Sequence, residues 1–459
     1  MRSLIDSVAA ALDARLSPGS DRPVALALSG GGDSMALLHL AADWCARRGR
    51  RLLALTVDHR LHPDSAAWTA FAGDAARAIG ADWRALSWEG AKPSTGLPAA
   101  ARAARHALLA DAARQAGARV ILMAHTGDDI AESDWMRDQG ATLGDLRDWS
   151  PSPVWPQGRG VMLLRPLLTE FRADLRAFLT GRNARWLEDP ANADPRFLRT
   201  RARTALNPSP DGRRGPRAPE RASDPVLSAG DEGSSPQQES PDPHPAREEQ
   251  MLAHLCAQPS PTGRGNSWSG LLILPRAVSA RALAAALLSV SGRTTPPRGP
   301  RLAALHARLA SGAAVTATLT GARVQTDGDR LLITREPGRG GLPDALLPPN
   351  APAVWDGRFE ITAPSPGWRA GPLHGRMAAL SPADQAIVKQ LPASARPALP
   401  VLVRDDDPRP RLAWSVAETR CLVAGRLIAA VGGIGHEDQL THSSGETPPA
   451  DLFLNRSGG

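Results

Sequence analysis

The chain has 459 residues, 42% of them hydrophobic, and a formal net charge of +7 at neutral pH. That length suits two or three domains. No apolar run approaches the roughly 18 residues that a membrane-spanning helix needs, so none is expected. Asp6 and Asp13 interrupt the first apolar residues, unlike a signal peptide. Cys45, Cys256 and Cys421 are scattered, forming neither a Cys-x-x-Cys pair nor a disulfide framework, which fits a reducing cytoplasm. Lysine is nearly absent (Lys92 and Lys389), so arginine carries the basic charge. The guanidinium fork suits phosphate and permits nucleic-acid contacts, although GC-rich coding DNA would give the same composition.

The apolar run over residues 24–28 reads as a buried strand. Ser29-Gly30-Gly31-Gly32-Asp33-Ser34 follows, and residues 35–45 then read as an amphipathic helix. A strand, a glycine turn and a helix start make an anion site, because glycines let the backbone approach oxygen atoms and free helix N–H groups point at the ligand. The two serines add hydroxyl donors. An acid in such a loop, Asp33, suggests a bridging Mg²⁺. The string is no Walker loop, lacking Gly-Lys-Ser/Thr, and its spacing fails the dinucleotide fingerprint. A plain strand-to-helix turn is the alternative.

Residues 52–57 read as a second strand ending at Asp58-His59. A helix is expected from Asp64-Ser65, a good cap pair, to about Ile79. A third strand follows around residues 83–86, and residues 99–116 are helix-prone up to Gly117. Residues 119–124 make a fourth strand with His125 at its end, and residues 161–164 a fifth. Thr169 then caps a helix running to about Asn183. This alternation predicts an α/β fold, a doubly wound parallel sheet over residues 1–206. Ligands in such sheets sit at the carboxyl ends of the strands. The glycine loop, Asp58-His59 and His125 all fall there, which points to one shared site.

Residues 207–270 are rich in Pro, Ser, Gly, Arg and Glu without hydrophobic periodicity, and read as a disordered low-complexity linker. Smaller α+β modules follow. One covers residues 271–336, with helices at 281–288 and 301–309 and strands at 314–319 and 330–334. A C-terminal module over residues 350–459 contains Trp355-Asp356-Gly357-Arg358-Phe359 and a strand-like stretch at 420–431.

A second constellation is Ala124-His125-Thr126-Gly127-Asp128-Asp129-Ile130-Ala131-Glu132-Ser133. On a helix Asp129 and Glu132 share a face. Either they form an acidic N-terminus favoured by the helix dipole, or they hold a metal, orient a nucleotide or handle protons. Arg102 and Arg105 reach phosphate or sit on a solvated helix face. The arginines among residues 196–203 touch RNA or nucleotide, or belong to an interdomain turn.

Together these strings resemble the tRNA(Ile)-lysidine synthetase family of the N-type ATP pyrophosphatase (PP-loop) superfamily. The matching pieces are the loop from Ser29 to Ser34, Val57-Asp58-His59-Arg60-Leu61-His62-Pro63, Ala100-Ala101-Arg102, Ala124 to Ser133, Leu164-Arg165-Pro166-Leu167 and Asp189-Pro190-Ala191-Asn192-Ala193-Asp194. The chain departs from the family over residues 134–142 and at Arg199-Thr200-Arg201. The resemblance implies an adenine nucleotide alpha hydrolase-like sheet and a cytoplasmic ligase. Its substrates would be ATP, with Mg²⁺, free L-lysine, and the tRNA(Ile) bearing a CAU anticodon. Cytosine O2 of the wobble cytidine would attack the α-phosphate, pyrophosphate would leave, and lysine would then displace AMP at C2.

Ser29, Gly30, Gly31, Gly32, Asp33, Ser34, His125 and Arg102 would bind ATP, with Asp33 also holding the metal. Lysine's amine has a reference pKa near about 10.4 and must lose a proton. Asp129 and Glu132 are the candidate bases, with Asp58 third. A related thiolase-like enzyme and a degenerate ATP- or RNA-binding protein are the competing expectations. A homodimer is left open.

Overall fold

The computed structural model describes residues 3–141, 143–188, 198–206 and 267–440. The expected linker up to residue 266, the 189–197 segment and residues 441–459 lie outside them. The chain divides into two compact units, Met1–Trp149 with Leu163–Asp242, and Ser150–Met162 with Pro243–Gly459.

β1 (Val24–Ala27), β2 (Leu52–Asp58), β3 (Asp82–Ser87), β4 (Val120–Leu122), β5 (Trp149–Pro151) and β6 (Met162–Leu164) form one sheet in the order β3-β2-β1-β4-β6-β5, most of it in the first unit. β1 runs parallel to β2 and β4, and β2 parallel to β3. Val24, Ala25 and Leu26 are all buried, as a strand covered on both faces requires. The strand order turns back between β1 and β4, and the crevice over the carboxyl ends at such a point receives ligands. β5 was not expected, because its Trp-Ser-Pro sequence reads as a loop and proline is confined to sheet edges.

The helices are α1 (Leu4–Asp13), α2 (Gly32–Arg48), α3 (Ser65–Ala78), α4 (Leu97–Gln115), α5 (Gly127–Asp138), α6 (Arg172–Gly181) and α7 (Leu198–Leu206). α2 starts inside the glycine loop, with Gly31 as its N-cap, and buries Met35, Leu37, Leu38 and Ala41. Each fully buried leucine contributes about 1.5–3 kcal/mol. The expectation that Thr169 caps the next helix is overturned. α6 starts at Arg172, whose backbone N–H donates to Asp128 Oδ2 at 2.8 Å, so the cap comes from α5.

In the second unit, β7 (Leu272–Pro275), β8 (Thr316–Leu319), β9 (Ala322–Asp327) and β10 (Arg330–Arg335) form an antiparallel sheet ordered β7-β10-β9-β8. β11 (Ala345–Leu346), β12 (Ala353–Trp355), β13 (Phe359–Thr362), β14 (Trp368–Pro372), β15 (Pro400–Arg404), β16 (Arg411–Leu412) and β17 (Glu418–Cys421) make two more, β11-β14-β15-β16 and β12-β13-β17. One apolar cluster runs from Leu272 through Trp355 and Phe359 to Val431, so the 271–336 and 350–459 segments share core residues.

The expected strand over 420–431 is corrected. β17 ends at Cys421, and Val423–Val431 is a helix burying Val423, Leu427 and Val431 at four-residue spacing. The 150–162 segment is stitched into this unit. Trp155 Nε1 donates to the Gly357 carbonyl at 2.7 Å, Arg159 pairs with Glu360, and the Arg426 guanidinium lies 4.0 Å from the Trp155 ring centroid.

Candidate functional site

The glycine loop leaves β1 and turns into α2. Gly30 has φ +85°, a conformation that disfavours any residue with a Cβ. A Cβ there would also meet Leu187 Cδ1 at 2.9 Å. The Gly30 carbonyl accepts from the Leu187 N–H at 2.9 Å, which pins the loop from outside. Ser34 is buried and its hydroxyl donates to the Gly31 carbonyl at 2.9 Å, so it closes the turn rather than facing a ligand. Ser29 is exposed, with its Oγ 3.0 Å from Ser34 Oγ. The start of α2 leaves N–H groups without helical partners, the condition for holding an anion.

Asp33 sits in the first turn of α2. Burial raises its carboxyl above the ordinary value, against the opposing pull of Arg172. Its Oδ2 accepts from Arg172 Nε at 3.2 Å. Sequence reasoning missed Arg172, the hub of the site. From the N-terminus of α6 it also donates to Asp129 Oδ1 at 2.8 Å and to Glu132 Oε1. Arg199 and Arg203 of α7 complete the network. Arg199 reaches Glu132 Oε2 at 2.7 Å and Asp129 Oδ1, and Arg203 Nε reaches Glu132 Oε1 at 2.8 Å.

Asp129 and Glu132 do share a face of α5, and both are buried. Asp129 Oδ2 accepts the Thr126 N–H at 2.8 Å and the Thr126 hydroxyl at 3.1 Å. Burial works to raise both carboxyls, but the arginines, joined by Thr126 at Asp129, hold them below their usual range. All four oxygens therefore accept from a cation, an N–H or a hydroxyl.

His125 follows β4, and burial together with Arg165 pushes its imidazole down to about 3. His106, on α4, is likewise pushed down to about 3 by burial and Arg105. Both rings are neutral, and among the described residues His125 Nδ1 and His106 Nε2 are buried without a hydrogen-bond partner. Arg105 is half-buried rather than on a solvated face. Its pKa falls to about 10 through burial and the neighbouring charges of Arg102 and Arg199. Among the described residues neither Arg102 nor Arg105 has an acidic partner, so this wall of the crevice carries uncompensated positive charge. Asp58 stands apart from the Arg172 network. Its Oδ1 accepts the Arg60 N–H at 2.7 Å and its carbonyl the Trp88 N–H at 2.9 Å.

A PP-loop domain family matches residues 5–210. The chain is 44% identical to the tRNA(Ile)-lysidine synthase of Caulobacter vibrioides, over 94% of this chain and 99% of that relative. The chain belongs to the tRNA(Ile)-lysidine synthase family. The synthase of Hyphomonas neptunium is 37% identical over 70% of this chain and 83% of its own length. That of Mesorhizobium japonicum is 36% identical over 73% and 71%. Membership gives the crevice a PP-loop reading, in which ATP is the substrate. No helix among the described residues is long and apolar enough to cross a membrane.

Proposed function

We propose that this protein joins free lysine to C2 of the wobble cytidine in the CAU-anticodon tRNA(Ile), with ATP split to AMP and pyrophosphate. The observation that carries this reading is the end-to-end match to a tRNA(Ile)-lysidine synthase, 99% of which is covered. The PP-loop geometry supports it in chemical detail. In the first step the cytosine O2 attacks the α-phosphate and the pyrophosphate oxygen leaves with its electron pair. The N–H groups of residues 30–32 and the α2 terminus would receive the charge that develops there, as fixed donors do best. Arg102 and the neutral His125 would line the rest of the nucleotide.

Among the described residues no cluster of three or more His, Cys, Asp or Glu side chains could hold a metal by itself. Asp33 fits an ion that arrives on the phosphates, because Mg²⁺ is commonly held by one or two carboxylates and substrate oxygens. When bound, it would neutralise charge on the leaving pyrophosphate. Burial leaves the Asp33 carboxylate short of compensating positive charge, which such an ion would supply.

In the second step the lysine ε-amine must be unprotonated. With their oxygens taken by arginines, Asp129 and Glu132 are weak proton acceptors. They would accept a proton, or hold the incoming ammonium, only after Arg199 lets go. Its side chain is 41% exposed, the most exposed of the three arginines. Asp58 remains the alternative base. A cytoplasmic location fits a tRNA substrate, and a homodimer is part of this proposal only as an option that sedimentation velocity would read.

The test is direct. Protein, ATP, Mg²⁺, labelled lysine and the CAU-anticodon tRNA(Ile) should yield label in RNA, and folded protein that transfers none would overturn the reading. Replacing the CAU anticodon should abolish transfer.

A further inference from the structure

The loops that follow β2 and β3 build an aromatic and cationic ledge that the mechanism above does not use. Trp88 is the first residue beyond β3, the edge strand of the sheet. Its N–H is held by the Asp58 carbonyl. The His59 ring meets it edge-on, with centroids 5.9 Å apart. The Lys92 ammonium sits 3.9 Å from the Trp88 ring centroid and donates to the Trp88 carbonyl. Arg60 ties the two loops together through Glu89 at 2.7 Å. Arg60 itself adopts φ +53°, and Asp58 Oδ1 holds that strained turn.

Three features mark the ledge as a binding surface rather than core. Trp88, His59 and Lys92 are only half-buried, and Leu61 in the loop after β2 is 47% exposed. The loop over residues 88–96 is longer than the two to about six residues usual between a strand and a helix, and such loops are disproportionately functional. Lys92 has no acidic partner among the described residues, and Arg102 and Arg105 are similarly uncompensated. Lys92 covers one face of the Trp88 ring, and the other face, with cations nearby that lack acidic partners, fits single-stranded nucleic acid, in which bases stack while phosphates meet basic groups.

We propose that Trp88 stacks a base of the RNA beside the target cytidine and that Lys92 takes an adjoining phosphate. This inference rests on the tRNA-modifying reading and specifies its RNA contact. β3 lies two strands from the strand that carries the glycine loop, roughly 10 Å across the sheet. The ledge is thus a neighbour of the phosphate cradle, reached by a splayed anticodon loop.

The experiment measures binding of a fluorescein-labelled anticodon stem-loop RNA by anisotropy, alongside KM for ATP and thermal melting. Trp88→Ala should weaken stem-loop binding about tenfold or more, the usual scale for one stacked base. Trp88→Phe should retain most of it, because stacking needs a ring rather than an indole. Lys92→Gln should weaken binding less and lower the salt dependence by about one phosphate contact. KM for ATP should stay near wild type in all three.

A folded Trp88→Ala protein that binds the RNA within about twofold of wild type, well below the loss expected of a stacking residue, would overturn the proposal. A raised KM for ATP with unchanged RNA binding would also overturn it and give the ledge to adenine. Wild-type protein that binds the stem-loop through Trp88 but transfers no lysine would instead refute the proposed function and leave the ledge standing.

Discussion

Glu132 offers the sharpest test of how the Arg172 network is held. Its side chain is 2% exposed and accepts from Arg172, Arg199 and Arg203. Replacing it with alanine removes the carboxylate and leaves those guanidinium groups facing a low-dielectric gap. Arg199 and Arg203, at 41% and 29% exposure, can turn to water, so little is assigned to them. Arg172, at 17%, cannot easily do so. Arg172 keeps Asp129 and Asp33 as partners, so losing this one buried pair costs about 3 kcal/mol, the lower end for breaking such a pair. For a unit of this size that lowers the melting temperature by about 6–12 °C.

Glu132→Gln keeps the shape and some hydrogen bonds, so it should lose about half as much. The pH dependence follows from the same contacts. The folded carboxyl lies below its ordinary value of 4.5, so its contribution is complete above that pH and disappears as pH falls through the folded value. Differential scanning calorimetry between neutral pH and pH 3 should show wild type and Glu132→Gln converging in acid. Alanine and wild-type proteins melting within about 1 °C of each other would refute this account of the network.

Gly30→Ala should destabilise the loop by about 2 kcal/mol through its left-handed backbone and the Leu187 contact, and pyrophosphate release should fall with it. Gly32→Ala meets only Trp186 at 3.5 Å and should melt within about 0.5 kcal/mol of wild type. His125, pushed down to about 3 by burial and Arg165, should show no imidazole titration between pH 5 and about 8 by NMR. Its cost of charging should make folding less stable as pH drops below the ordinary value of 6.5. Chelating Mg²⁺ should stop pyrophosphate release while leaving the melting temperature unchanged, because no metal cluster among the described residues supports the fold.

What could be read from the sequence was mostly local. β1, β2 and α3 follow from apolar runs and from Asp64 preceding the helix, and the shared face of Asp129 and Glu132 follows from helix periodicity alone. The arginine hub was illegible because Arg172 lies 40 residues from Glu132 and looks like any first-turn cation. Only the packing of α6 beside α5, with Asp128 capping the later helix, brings it to the acids. The same long-range convergence explains the misplaced cap at Thr169. At residues 420–431 the error was one of period. Apolar residues so dense satisfy both strand and helix templates, and burial on one stripe decided for the helix.

The Trp155 bond also sets an order of events during synthesis. Its acceptor, Gly357, lies 202 residues downstream. At about 5–20 residues per second the ribosome needs roughly 10–40 s to supply it. During that interval the indole and the Arg159 side chain have emerged while their docking site does not yet exist. A nascent chain stalled before residue 357 should therefore expose this tryptophan to a chaperone or a protease, and release of the full chain should conceal it.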